Sequence, residues 1–303
     1  MKRIASIGEC MVELQETETG SALYRQAFSG DTLNAAIYLH RALPEGMGRV
    51  RYVTALGDDA FSDRMVAWFA AEGLDTGLIE RLPGRQPGLY VIILDERGER
   101  TFRYWRGDAA ARHLLEDDAA ADRLAVLADH DLVYLSGITL AILTPDARER
   151  LVRLLDRVRA NGGAVAFDGN YRPRLWTSPE EAQEALTAVL RRATIGLPTH
   201  DDEALLFGDT DARATAERLH GLGVEEVVVK RGAEAALISA PGVRTWLAPQ
   251  PVERVVDTTA AGDSFNGAYL AGRLAGLDPA AAAAQGHATA GRVVQVRGAI
   301  LPR

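Results

Sequence analysis

Apolar residues along this chain follow two rhythms. Short runs rich in β-branched and aromatic residues end at glycine, proline or an acid: RIASIGE, VRYVTAL, DLVYLSG, AVAFDGN, ATIGLPT and EEVVVK. They read as strands, and several are apolar at nearly every position, as strands covered on both faces of a parallel sheet are. Between them apolar residues recur every three or four positions, the period of a helix with one buried stripe. In DARERLVRLLDRVRANG the stripe is Leu151, Leu154, Leu155 and Val158, and Gly162 supplies the stop. Strand and helix in alternation build βαβ units. The expected fold is therefore α/β, a doubly wound, mainly parallel sheet flanked by helices.

One stretch breaks the alternation. GLYVIILDERGERTFRYWR reads as two strands, residues 90–94 and 100–106, joined by a turn around Arg97 and Gly98. The connection is too short for a crossover helix, so the prediction is an antiparallel hairpin. With GLIERL just before it and a piece near residues 11–26, it predicts a small β-sheet projecting from a single domain over residues 1–303. Its segments fall near 11–26 and 77–106. The pattern fits a lid over a ligand cleft as well as a plain edge hairpin. The alanine run at 280–284 reads as helix.

Composition narrows the chemistry. Hydrophobic residues at 47% and charged residues at 25% are ordinary globular values, so the chain reads as folded throughout. A net charge of -8 argues against a nucleic-acid partner, and any anion site must be local. The one cysteine, Cys10, has no internal disulfide partner and reads as packed, and the six histidines have no metal-ligand spacing. The start, MKRIASIGEC, is too short an apolar run for a secretory signal, and no segment reaches the ~18 apolar residues of a membrane span. The expectation is a cytoplasmic protein with no membrane partner.

Several phosphate and catalytic signatures are missing. There is no G-x-x-x-x-G-K-[ST], and the chain has only two lysines, Lys2 and Lys230. There is also no G-x-G-x-x-G after the first strand, no G-x-S-x-G and no H-E-x-x-H. What remains is DTTAAGDSFNGAYLAGRL, residues 257–274, where small residues feed a helix. A helix start leaves backbone N–H groups unpaired at a positive dipole end, here expected from Ala261 to Ser264. Ala260, Ala261 and Gly262 carry almost no side chain, so a phosphate can approach the backbone. Asp263 then sits beside that phosphate. It is either a helix cap or a base that takes the proton of an attacking hydroxyl.

Residues 257–265 resemble the second signature of the PfkB-type, ribokinase-like carbohydrate kinases, D-T-T-[GA]-A-G-D-[ST]-F, at every position. The resemblance implies that Asp263 is the catalytic base and that Ala260, Ala261 and Gly262 form the anion hole. It extends along the chain. SGDTLNAA, residues 29–36, is similar to the first signature, whose asparagine binds sugar hydroxyls. ALGDDAFSDRM is similar to G-D-D-x-F-G, with Ser62 in place of a glycine. VVVKRGAEAALI resembles the strand, turn and strand that flank the nucleotide, which places Lys230, Gly232 and Ala233 near ATP. Where many relatives have N-x-x-E after the central strand, this chain has PTHDDEALLFG. Thr199 replaces the asparagine, and Asp202, or Glu203 in another register, supplies the acid beside the expected Mg2+.

The acceptor is read from basic residues near the hairpin and near FDGNYRPRLW. A sugar acid needs a cation for its carboxylate, and a guanidinium offers paired donors; Arg106 and Arg172 are the candidates. Together with GECMVEL, GLYVI, FRYWR, YLSGITLAIL and VQVRGAILPR, these segments look like those of 2-keto-3-deoxygluconate kinases. That resemblance implies a sugar pocket lined by Gly30, Asp31, Thr32, Asn34, Tyr90, Tyr104, Arg106 and Arg172, with Asn170 and Arg172 also facing the phosphates. The cofactors implied are ATP and Mg2+, the partner a small acidic sugar, and the product its 6-phosphate. An exposed lid sheet also predicts a homo-oligomer, a dimer or higher, through the lid. Another sugar kinase of the family, of fructokinase or ribokinase type, and a silent sugar-binding protein remain as alternatives.

Overall fold

In a computed structural model the described residues are 1–94, 100–117 and 119–303. The strands in chain order are β1 (Lys2–Ile7), β2 (Met11–Glu16), β3 (Tyr24–Ser29), β4 (Gly48–Val53), β5 (Ala55–Leu56), β6 (Glu80–Arg81), β7 (Leu89–Leu94) and β8 (Arg100–Trp105). They continue with β9 (Leu132–Ser136), β10 (Ala164–Asp168), β11 (Ile195–Gly196), β12 (Glu226–Val229), β13 (Ala236–Ala240) and β14 (Val243–Leu247). The helices are α1 (Asp31–Ala42), α2 (Ala60–Ala71), α3 (Ala120–Leu127), α4 (Gly137–Ile142) and α5 (Pro145–Ala160). After these come α6 (Pro179–Leu190), α7 (His200–Phe207), α8 (Ala212–Gly221), α9 (Ala261–Leu274) and α10 (Pro279–Val293).

The large sheet has the order β14-β13-β12-β11-β10-β9-β1-β4. Pairing is parallel from β4 to β12 and antiparallel only at the β12–β13–β14 edge. Successive residues point to opposite faces, and here both faces are covered. Val133 and Leu135 join one apolar cluster with the α5 stripe Leu151, Leu154, Leu155 and Val158, while Leu132 and Tyr134 join another under α1 and α9. That is why β9 reads as an unbroken apolar run. The chain leaves β1 for β4 on one side and returns to β9 on the other, a switch in direction that opens a crevice at the carboxyl ends of the strands.

The small sheet has the order β3-β2-β7-β8. Its β7–β8 hairpin is antiparallel, with Tyr90 opposite Tyr104 and Ile92 opposite Phe102; the turn expected around Arg97 and Gly98 lies outside the described residues. Two expectations need correction. Residues 77–82 do not extend this sheet, because Glu80–Arg81 pairs in parallel with Ala55–Leu56 as a separate two-stranded ribbon. VRYVTAL is correspondingly not one strand: Gly48–Val53 belongs to the large sheet, and beyond the fully buried Thr54 the chain turns to β6. Among the described residues no helix is long and apolar enough to cross a membrane, and Cys10 is buried and unbridged.

Candidate active site

At the carboxyl ends of β10 and β12 the crevice opens into a cavity of about 430 Å³. One wall is α9, whose N-terminus starts abruptly because Ala260 adopts the left-handed conformation, φ +59°. The turn uses up some amides: Ala261 N–H donates to the Thr258 carbonyl at 3.2 Å and Ser264 N–H to the Ala260 carbonyl at 2.8 Å. The expected run of free N–H groups from Ala261 to Ser264 is therefore shorter. Gly262 and Asp263 keep amides with no acceptor among the described residues, at a positive helix end on the cavity wall.

Asp263 is not the N-cap, since that position belongs to Ala260, which makes no side-chain cap bond. Its carboxylate accepts from Asn34 Nδ2 at 2.9 Å. The two helices can approach this closely because Gly267 has no side chain; a Cβ there would lie 2.3 Å from the Ala35 carbonyl. Burial pushes the Asp263 carboxyl up to about 7, with Asp31 and Asp168 adding to the rise and Asn34 and Lys230 opposing it. A carboxyl with that affinity for protons, facing a cavity beside free amides, suits proton abstraction.

The opposite wall is the small sheet, which contributes Met11, Ser29, Tyr90, Phe102 and Tyr104. Phe102 and Tyr104 are stacked with centroids 6.4 Å apart, and Tyr90 packs 5.7 Å from Tyr104. The Tyr90 hydroxyl donates to Glu13, and burial holds its pKa well above the usual phenol value. Between the walls lies Gly30, which must be glycine because a Cβ would meet the Glu9 carbonyl at 2.1 Å. It is followed by Asp31 and Asn34 on the first turn of α1. Asn170, held at φ +36°, reaches across to donate to Asp31 at 2.8 Å. That unusual backbone is braced by Asp168, which accepts the Asn170 N–H at 3.2 Å.

Arg172 lines the cavity with a side chain 51% exposed, 3.3 Å from Asp202. Burial raises the Asp202 pKa against the pull of Arg172. The register of the 199–203 segment is thereby resolved. Asp202 faces the cavity, whereas Glu203 is buried and paired with Arg218 at 2.5 Å, its pKa pushed up to about 7 by burial. Lys230 follows β12, lines the cavity and is ion-paired to Asp168 at 2.7 Å.

Of the expected residues, Gly30, Asp31, Asn34, Tyr90, Tyr104, Asn170, Arg172, Asp202, Lys230 and 260–263 converge on this cavity. Four do not line it. Thr32 is fully buried, its carbonyl accepting from Ser6 and its hydroxyl 3.4 Å from that of Tyr52. Arg106 turns beneath the small sheet into an ion pair with the buried Glu9, which among the described residues has no other cation in contact. Gly232 and Ala233 sit on the turn past Lys230, outside the cavity wall. Sequence reasoning missed Asp168, whose signal was an acid closing an otherwise apolar strand, and Asp201 and Phe102, which carry no such mark.

A pfkB family carbohydrate kinase model matches residues 1–303. The chain belongs to that family. Curated 2-dehydro-3-deoxygluconokinases are similar over nearly their whole length. That of Dickeya dadantii is 51% identical over 99% of this chain and 97% of the relative, and that of Escherichia coli K12 is 49% identical over 100% and 98%. Among solved structures, a putative ribokinase II from E. coli in complex with ATP and Mg2+ superposes with a TM-score of 0.84 at 26% identity, covering 99% of this chain and 94% of that one. The ribokinase-like fold expected from the sequence is thus the fold of the family's solved members.

Proposed function

We infer that this pfkB-family chain is an ATP-dependent 2-dehydro-3-deoxygluconokinase, the enzyme also called 2-keto-3-deoxygluconate kinase, giving the 6-phosphate. The observation that carries the acceptor is the near-50% identity to enzymes of that name over the full chain.

In this reading the C6 hydroxyl of the sugar lies against Asp263, which takes its proton as the oxygen attacks the γ-phosphoryl group of ATP. The Gly262 and Asp263 amides and Lys230 stabilise the charge on the transferring group, and the catalysis is mainly positioning and electrostatics. Asp31 and Asn34 take sugar hydroxyls, while Tyr90, Phe102 and Tyr104 cover the ring. Arg172 is the cavity guanidinium available to the sugar carboxylate and, with Asn170, to the phosphates. Arg106 contributes from behind, by holding Glu9 and the base of the small sheet. Among the described residues no cluster of three or more His, Cys, Asp or Glu side chains could hold a metal. The donor set thus fits Mg2+ carried by phosphate oxygens, with Asp202 reaching its water shell. Bound there, Mg2+ neutralises phosphate charge.

The small sheet works as a lid, and the cytoplasm is the expected compartment. Its face away from the cavity exposes Tyr24 (44%), Ile93 (37%) and Trp105 (61%), apolar surface suited to pairing with a second copy; light scattering of the purified protein tests for the dimer. ATP consumption with Mg2+ over a panel of acidic and neutral sugars tests the activity. Phosphorylation of 2-keto-3-deoxygluconate in preference to fructose and ribose is expected; the reverse preference overturns the acceptor assignment.

A further inference from the structure

Below the cavity floor lies a buried polar side chain that the reaction scheme leaves unused. Asn266, on the second turn of α9, is fully buried. Its Oδ1 accepts from Lys230 Nζ at 3.1 Å, and its Nδ2 donates to Asp168 Oδ2 at 2.7 Å and to the Tyr134 hydroxyl at 3.1 Å. One carboxamide thus joins the middle of β9, the end of β10 and the residue after β12 to the helix that carries the candidate base. A primary amide has one acceptor oxygen and two N–H donors, and each has a partner.

The cluster governs where an ammonium sits. Lys230 is fixed at its backbone, donating to the Pro198 carbonyl at 2.8 Å and accepting from His200 N–H at 2.9 Å. Its long side chain would otherwise be free to turn. Two of its three N–H donors go to Asp168 at 2.7 Å and to Asn266, which leaves one for the cavity it lines. The ammonium lies 3.5 Å from where a Cβ on Gly262 would be, directly behind the free amides. Asp168 alone cannot fix this position, because a single carboxylate contact leaves the ammonium free to swing about it. Asn266 supplies the second point.

We propose that Asn266 is a positioning residue for phosphoryl transfer, its carboxamide fixing the Lys230 ammonium between Asp168 and the N-terminus of α9. The proposal rests on the reading that Lys230 acts on the transferring phosphoryl group. A second consequence reaches the base. Asp263 and Asn266 are three residues apart on α9 and so share a face. The groups facing Asp263 are Asp31, Asn34 and Tyr38 from α1, Tyr134 from β9, Asp168 from β10 and Lys230 past β12. A neutral amide at 266 keeps a further negative charge out of that set.

The test is a double-mutant cycle on the purified full-length enzyme. Lys230→Met should lower kcat roughly 10²-fold, as removal of one preorganised donor does. Asn266→Leu should lower kcat roughly 10- to 100-fold with sugar KM within a few-fold, and should add little once Lys230 is already methionine, because residues acting as a unit are not additive. If Lys230→Met leaves kcat unchanged, the reading of Lys230 fails and the proposal with it. If Lys230→Met is impaired while Asn266→Leu is not, or if the two losses multiply, the proposal alone is overturned. A second variant covers the case in which Asn266→Leu does not fold. Asn266→Asp keeps the shape and adds a carboxylate, so the acidic limb of the pH profile should move up by roughly half a unit or more. Because any added carboxylate would move the limb, the proposal is judged on the alkaline plateau: there Asn266→Asp should lower kcat in the wild-type background and add little in the Lys230→Met background, and an undiminished loss in the latter overturns it.

Discussion

If Asp263 is the base, replacing it with asparagine should separate activity from stability in opposite directions. Asp263→Asn keeps the side-chain shape and an oxygen for Asn34 Nδ2 to bond, but it cannot accept the sugar proton. kcat is expected to fall by a factor on the order of 10² to 10⁴, with nucleotide binding largely kept. The stability arm follows from the raised pKa. The ordinary value is 3.8 and the folded value about 7, so the folded state holds this proton more tightly than the unfolded chain. The sign is that the carboxyl disfavours folding once ionised: stability is unaffected below about pH 4 and is lost progressively as pH rises toward 7. About three pKa units correspond to an upper bound on the order of 4 kcal/mol at 1.36 kcal/mol per unit. Relaxation and the open side of the cavity will reduce this. Even 1 to 2 kcal/mol raises Tm by roughly 2 to 4 °C in a domain of this size. Thermal melts of both proteins at pH 5 and pH 8, with a coupled kinase assay, check both arms. The variant should melt higher at pH 8 and much closer to wild type at pH 5. Turnover within a few-fold of wild type refutes the base assignment. A melting difference that does not grow with pH refutes the electrostatic account.

Arg172→Ala should raise KM for the keto acid by tenfold or more and fall well short of that for any neutral acceptor, whereas Arg106→Ala should chiefly lower stability, by about 2 kcal/mol or more, because it strands the buried Glu9 carboxylate; kinetics and melts of both variants decide, and the opposite pattern returns the sugar acid to Arg106. Ala260→Gly should cost no stability, since the left-handed backbone at φ +59° suits glycine, while Ala260→Val should lose about 2 kcal/mol together with most turnover, as chemical unfolding and an activity assay will tell. Amide exchange in residues 89–94 and 100–105 should slow when sugar is added; unchanged protection would leave these strands a static wall. Finally, the acidic limb of kcat should lie above that of kcat/KM for ATP at saturating sugar, which pH profiles of the two parameters measure directly.

Much of the fold was legible because its causes are local. The α5 stripe and the apolar strands announce burial within a dozen residues, and the segment 257–265 carries its turn, small residues and acid in one stretch. The site was less legible where its partners are distant in sequence. Arg106 and Glu9 are 97 residues apart, and nothing near either one announces the pairing. From sequence alone Arg106 read as a free cation at a hairpin end. Asn266 bonds groups 36, 98 and 132 residues away, so its position in the helix reveals only that it is buried. Thr32 lay in a signature next to true wall residues, but successive helix positions point about 100° apart, and its side chain turns into the core. Residues 77–82 had the right composition for the small sheet and simply found another strand, because β-pairing is decided in three dimensions.

A chain with a net charge of -8 that binds two anions poses an electrostatic problem, and the cavity sharpens it. Among the described residues its lining holds the carboxylates Asp31, Asp168, Asp201, Asp202 and Asp263 against two cations, Lys230 and Arg172. Both cations are already engaged, by Asp168 and Asp202. Two unit charges about 4 Å apart interact by about 4 kcal/mol at an effective dielectric constant of 20, so bare ATP would meet strong repulsion here. Two features counter it without adding side-chain charge: the free amides at the start of α9, and the divalent cation that travels with the phosphates. The same imbalance adds to the effect of burial on the base. With Asp31 and Asp168 outweighing the opposing Lys230, the buried Asp263 holds its proton up to about pH 7. ATP with one Mg2+ still carries net negative charge, and that charge beside the carboxylate favours the protonated form. The bound nucleotide therefore raises the pH at which the base is ionised, which is the physical reason for expecting the kcat limb at higher pH than the limb of the nucleotide-free enzyme.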